Sequence, residues 1–145
     1  MPLNVDEMGA VLRRFVDAIP GVQGAAVVTA DGLPLATSLP SSMNDERAAA
    51  MTAAMLSMGE RIGRELSRGG VERVLVEGAE GYSLLMRCGG ELALLTLATR
   101  EVKQGLLLYE VQQLVQGLSE MVQAQSSVFA SVPKHSDLAA RLARA

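Results

Sequence analysis

The side chains that could do chemistry in this chain are few. They are Asp31 in the stretch "VVTADGLPLATS", the single cysteine Cys88, the single histidine His135 beside Ser136 and Asp137, the adjacent carboxylates Asp45 and Glu46, and the arginines Arg47, Arg61, Arg64 and Arg68. A catalytic carboxylate needs a partner that shifts or shares its proton. None stands near Asp31, and Asp-Gly between two apolar runs is a strong hairpin signal, because tight turns need backbone conformations that Gly and Asp tolerate. Asp31 is therefore read as a turn residue. His135, Ser136 and Asp137 are contiguous, whereas the members of a triad converge from separate parts of a fold. Cys88 has no second Cys or His beside it and reads as a small, half-buried hydrophobe. One His and one Cys cannot make a metal-ligand set, and Asp45 and Glu46 read as charges in the first turn of a helix. The chain lacks G-x-x-x-x-G-K-[ST] and so is not itself a P-loop GTPase. No catalytic residue, cofactor or metal is expected.

The elements that would position these residues follow from hydrophobic period and turn signals. Met8, Val11, Leu12, Phe15, Val16 and Ile19 recur at helical spacing, and Pro20-Gly21 stops that helix. Residues 22–30 and 33–39 form strands on either side of Asp31-Gly32, and Pro34, which lacks a backbone donor, confines the second to a sheet edge. Ser41, Ser42 and Asn44 are candidate caps for a long second helix that Gly69-Gly70 ends. Met51, Met55, Met58, Ile62 and Leu66 form its apolar stripe, which is expected in the core. Arg47, Ala54, Arg61 and Arg68 recur every seven residues and, with Ala50, Ser57 and Arg64, share a second, basic face. Glu60 and Glu65 stand near it, so the face is either plainly solvated or a docking surface. Residues 71–77, 82–87 and 91–98 read as strands whose short Gly-rich links permit only antiparallel hairpins. A helix over residues 102–125 carries Leu107, Val111, Leu114, Leu118 and Met121 on one side. Residues 126–145 read as a flexible tail in which residues 136–145 could form a short helix, which leaves residues 1–125 as the single domain.

Composition narrows the function classes. A 145-residue chain buries a real core without staples, and 49% hydrophobic against 20% charged residues is ordinary for a soluble domain. A net charge of -3 with 3% aromatics argues against nucleic acid as a partner. The N-terminal sequence does not read as a signal peptide, and no apolar run is long enough to span a bilayer. A cytoplasmic location without membrane insertion is expected.

The order helix, hairpin, long helix, meander, helix predicts an α+β domain with a central antiparallel sheet of about five strands. That order, with "GVQGAAVVTADGLPLAT", the Ala/Met-rich second helix and "RVLVEGAEGYSLLMRCGGELALLTLA", resembles the Roadblock family related to dynein light chains, which in bacteria includes MglB-like regulators of small GTPases. The resemblance covers about residues 5–125. It implies the first and last helices on one face of the sheet and the long middle helix on the other. It also implies a homodimer in which the third strands pair edge to edge and the middle helices lie side by side. The residues point the same way: Val71, Glu72, Arg73, Val74, Leu75, Val76 and Glu77 would form an edge without Pro, sticky unless paired. Charge at Glu72, Arg73 and Glu77 could instead protect it. The expected function is a noncatalytic homodimeric regulator of a Ras-like small GTPase, with Arg47, Ala50, Ala54, Ser57, Arg61, Arg64 and Arg68 as the partner-binding face. A ligand-sensing domain, which would need a cavity lined by the methionines, and a structural dimerisation module are the alternatives.

Overall fold

The computed structural model describes residues 4–131. Its elements are α1 (Val5–Ala18), β1 (Val22–Val28), β2 (Pro34–Ser38), α2 (Asp45–Glu65), β3 (Arg73–Gly78), β4 (Gly81–Arg87), β5 (Ala93–Ala98) and α3 (Gln104–Ser131). The five strands form one antiparallel sheet in the order β2-β1-β5-β4-β3. The proline-bearing strand and β3 are its two edges, as the sequence predicts.

Local chemistry explains the boundaries. Asn4 caps α1 by accepting from the Glu7 N–H at 2.9 Å, and Asn44 caps α2 by accepting from the Arg47 N–H at 2.8 Å. The β1–β2 corner closes with the Gly32 N–H donating to the Thr29 carbonyl at 2.9 Å and the Thr29 N–H donating to the Leu33 carbonyl at 2.9 Å. Gly32 carries the positive φ of +84°, and a Cβ there would press within 3.2 Å of the Ala50 Cα. Asp31 is exposed at this corner, which is the place a turn residue takes.

The helices lie as the resemblance implies. Met8 and Leu12 of α1 and Leu107, Val111, Leu114 and Leu118 of α3 pack with Val27, Leu84 and Leu94 on one face of the sheet. Across the sheet, Ala49 and Leu56 of α2 meet Ala26, Val28, Leu85 and Leu95. The first layer is built of long aliphatics, each worth about 1.5–3 kcal/mol on burial. The second is thin.

Several boundaries differ from the sequence reading, among them the first strand, which ends at Val28, and the last, which starts at Ala93; those of the second helix, the third strand and the last helix bear on the candidate surface. The second helix ends at Glu65, before Gly69-Gly70. Ser67 adopts φ +57°, its N–H donates to the Arg64 carbonyl at 3.2 Å, and the Arg68 N–H donates to the Gly63 carbonyl at 2.7 Å. This is a Schellman stop with Ser where Gly is usual, and it removes Arg68 from the helical face. The third strand starts at Arg73, so Val71 and Glu72 belong to the connection before it. The last helix starts at Gln104 and continues to Ser131, six residues beyond the expected end at residue 125. His135 and the helix expected over residues 136–145 lie outside the described residues.

Cys88 is wholly buried in the α1/α3 layer, and burial pushes its thiol up to about 12. The thiolate is the reactive form. Native protein at pH 8 should therefore resist a maleimide that labels the guanidinium-unfolded chain fully, and mass spectrometry reads the difference; rapid native labelling would show that the site opens. Two glycines make a paired stability test. A Cβ on Gly63 would stand 2.5 Å from the Gly69 carbonyl oxygen, whereas nothing lies within 4 Å of one on Gly117. Urea unfolding should show Gly63→Ala destabilised by about 1–3 kcal/mol and Gly117→Ala stabilised by up to about 1 kcal/mol, because Ala restricts the unfolded chain and favours helix.

Candidate interaction surface

The inner face of α2 consists of Ala49, Thr52, Leu56 and Gly63. Small residues are needed here because the helix lies close on the sheet: a Cβ on Gly59 would stand 3.0 Å from Val74 Cγ2, and one on Gly63 3.0 Å from Val71 Cγ2. The consequence reverses the sequence reading of the methionine stripe. Met51, Met55, Met58 and Ile62 are 43–59% exposed, and Leu66 is exposed beyond them. The 3.6-residue period is real, but period alone does not say which of two apolar faces turns inward. Close approach selected the small one.

With 3.6 residues per turn, Met55 and Ile62 share the flank of α2 that carries Gly59, the residue touching Val74 of β3. β3 itself is covered on one side by β4 and bare on the other. Its residues alternate between the faces of the sheet: Val74 joins the α2 layer, and Val76, 44% exposed, follows it, while Leu75 projects to the α3 side and is 42% exposed. An apolar helix flank and an unpaired strand edge thus adjoin. Contiguous exposed apolar surface of this kind marks interaction sites.

All the arginine-face residues on the helix (Arg47, Ala50, Ala54, Ser57, Arg61 and Arg64) are exposed. They do not form one uniform patch. Arg61 donates from Nε to Glu65 Oε1 at 2.9 Å, one helical turn away. Arg64 makes no ion pair among the described residues. Arg68, beyond the helix end, donates from Nε to the Leu66 carbonyl at 2.9 Å. Position on the helix further divides them, since Arg47, Ala54 and Arg61 crown its outer surface while Ser57 and Arg64 lie on the flank away from the methionines.

Two cationic contacts were not legible in the sequence. Arg87 at the end of β4 pairs with Glu60 of α2 and ties the helix to the sheet. Arg100 lies over the Tyr82 ring at 5.8 Å, donates to the Gly78 carbonyl at 2.9 Å and stands 3.5 Å from Glu77, so it braces the end of β3. Neither pair has a short, periodic separation that a sequence pattern would reveal.

Among the described residues, no group of His, Cys, Asp and Glu could hold a metal ion, and no helix is long and apolar enough to cross a membrane. A cleft of about 350 Å³ opens between β3 and the start of α3, lined by Leu75, Leu84, Leu107 and Leu108 with Arg73 and Gln104. The ligand-sensing alternative asked for a pocket of methionines. This cleft is leucine-lined.

The Roadblock/LC7 domain matches residues 8–98. An uncharacterised protein of Methanocaldococcus jannaschii, MJ1340, is 32% identical over 101 residues, spanning 70% of this chain and 88% of that protein. Among solved structures, the fold is similar to a Roadblock/LC7 domain from Streptomyces avermitilis, with a TM-score of 0.74 at 23% identity, covering 79% of this chain and 97% of that one. It is also similar to MglB of Myxococcus xanthus, with a TM-score of 0.80 at 13% identity, covering 93% and 97% of the two chains. The last two likenesses are of fold. The family match runs from α1 through β5, across the sheet and the helix that carries the exposed stripe: the chain belongs to the Roadblock/LC7 domain family.

Proposed function

We propose that this chain is a noncatalytic homodimeric scaffold that regulates a Ras-like small GTPase. The observation that carries the reading is the exposed stripe of Met51, Met55, Met58 and Ile62 beside the bare edge of β3. Pairing two copies through β3 gives the open backbone groups partners. The same two-fold sets the α2 helices side by side and buries the methionines against their twins. Methionine suits such a junction, being flexible enough to fill an irregular seam.

The GTPase part follows from the resemblance to MglB-like regulators and from the character of the outer surface. After pairing, each copy still presents Arg47, Ala54 and Arg61 outward, and arginine is the cation best suited to interfaces. Acceleration of hydrolysis would come from ordering the partner's own catalytic groups. An arginine supplied directly to the phosphates is the stronger claim. Arg64 suits that role better than Arg61, whose guanidinium is engaged by Glu65.

Light scattering and nucleotide hydrolysis test the two halves. Met58→Asp should raise the dimer dissociation constant at least about 100-fold, because a charge meets its twin in an apolar seam and two methionine contacts are lost; an unchanged dimer removes the stripe from the interface. Arg64→Ala, assayed with a GTP-loaded Ras-like protein, should cut stimulated hydrolysis about 10³-fold or more if the guanidinium reaches the phosphates. If hydrolysis and binding are both unchanged, the direct role is wrong while scaffolding stands. If no GTPase binds, the structural dimerisation module is the better reading.

A further inference from the structure

The strand Arg73-Val74-Leu75-Val76-Glu77 is its own complement when laid antiparallel against a second copy. A two-fold axis normal to the sheet keeps each face of the sheet on the same side, so residues that oppose each other across the junction must project to the same face. This restricts the register to centres that fall on a residue. With Leu75 opposite Leu75 of the second copy, Arg73 meets Glu77 and Val74 meets Val76, and both relations recur by symmetry. Centring on Val74 instead sets Arg73 against Leu75. Centring on Val76 sets Leu75 against Glu77. Either shift places charge opposite an apolar side chain and forfeits the ion pairs.

The backbone favours the same register. Gly78 opposes Gly81 across the two residues Ala79 and Glu80. In a hairpin closed by two residues, the flanking pair exchanges hydrogen bonds and every second pair beyond it does the same. That alternation turns the N–H and C=O groups of Val74 and Val76 toward β4, and those of Arg73, Leu75 and Glu77 toward the bare side. Centred on Leu75, these outward residues face one another as three hydrogen-bonding pairs; a shift to Val74 or Val76 leaves two within the strand.

We infer that β3 specifies a second copy of this same chain as its partner, in the register centred on Leu75, with Arg73 of each copy paired to Glu77 of the other. The inference rests on the homodimer reading above and adds to it the device that selects like over unlike chains. Arg100, 3.5 Å from Glu77, steadies the carboxylate that the incoming Arg73 meets.

Charge reversal in the full chain tests it, read by sedimentation and with folding checked by circular dichroism. Arg73→Glu and Glu77→Arg each set like charges opposite one another twice, and each should weaken self-association about tenfold or more. Mixing the two variants makes every facing pair opposite in sign, so a heterodimer as tight as the parent dimer should form. Independently, Leu75→Cys should cross-link to its twin under mild oxidation and Val76→Cys should not, Cys88 being buried and silent. Should both reversals associate like the parent with no preference for the mixed pair, or Val76→Cys cross-link in place of Leu75→Cys, the register is wrong while the dimer stands. A parent chain that stays a single subunit at every concentration overturns the dimer reading itself.

Discussion

A β-strand at the rim of a sheet leaves its outward N–H and C=O groups to water or to another chain, and the whole arrangement turns on how β3 meets that requirement. Nothing within the described fold covers it: α2 lies over one face of the sheet, α1 and α3 over the other, and the rim beyond β3 is bare. The opposite rim is treated differently. β2 is five residues long and begins with a proline that has no N–H to offer. One edge is thus blunted and the other left competent to pair, with Arg100 bracing its end through Gly78 and Glu77.

The two layers of the core are packed differently. Long aliphatic side chains from α1 and α3 fill the first layer, where Met8, Leu12, Val111 and Leu118 are fully buried. The α2 layer is made of Ala, Thr, one Leu and a Gly. A helix held by so little apolar volume needs other anchors. The Asn44 cap, the bond from the Thr37 hydroxyl to Asp45 at 2.9 Å and the Glu60–Arg87 pair supply them. Because small residues face inward, the large ones on the same helix are left outside. The exposed stripe follows from the packing of α2 and is the feature on which a second copy would act.

Much of the fold was legible in the sequence because its signals are local. Asp31-Gly32 marked the hairpin, Pro34 marked the edge, and the Gly-separated strands marked the meander. The candidate surface was only half legible. Helical period located the methionine stripe and the arginine face, yet it assigned the stripe to the core, since bulk and apolarity usually go inward. The contrary evidence was present in Gly59, Gly63, Ala49 and Thr52 at matching spacing, but their meaning depends on how closely the sheet approaches. The end of α2 was missed because Ser67 takes a backbone conformation normally left to glycine. Arg68 consequently lost its place on the helix.

Geometry on α2 also separates two functions that a linear reading merges. If the methionine flank turns to the second copy, Arg47 and Arg61 remain on the crown above the paired helices, while Arg64 looks away from the two-fold. A ligand seated across the dimer would then meet both crowns at once, and one seated beside it would meet a single Arg64. On the crown, Glu65 accepts from Arg61, while Arg47 makes no ion pair among the described residues. The Arg61–Glu65 pair itself adds little stability, in keeping with the small worth of exposed ion pairs. The flank at Arg64 is narrower and carries a guanidinium without an ion-pair partner among the described residues. Under the proposed function, a platform that would hold a GTPase across the axis and a cation that would reach its phosphates from one side are different demands on the same helix, and they would fall on different residues.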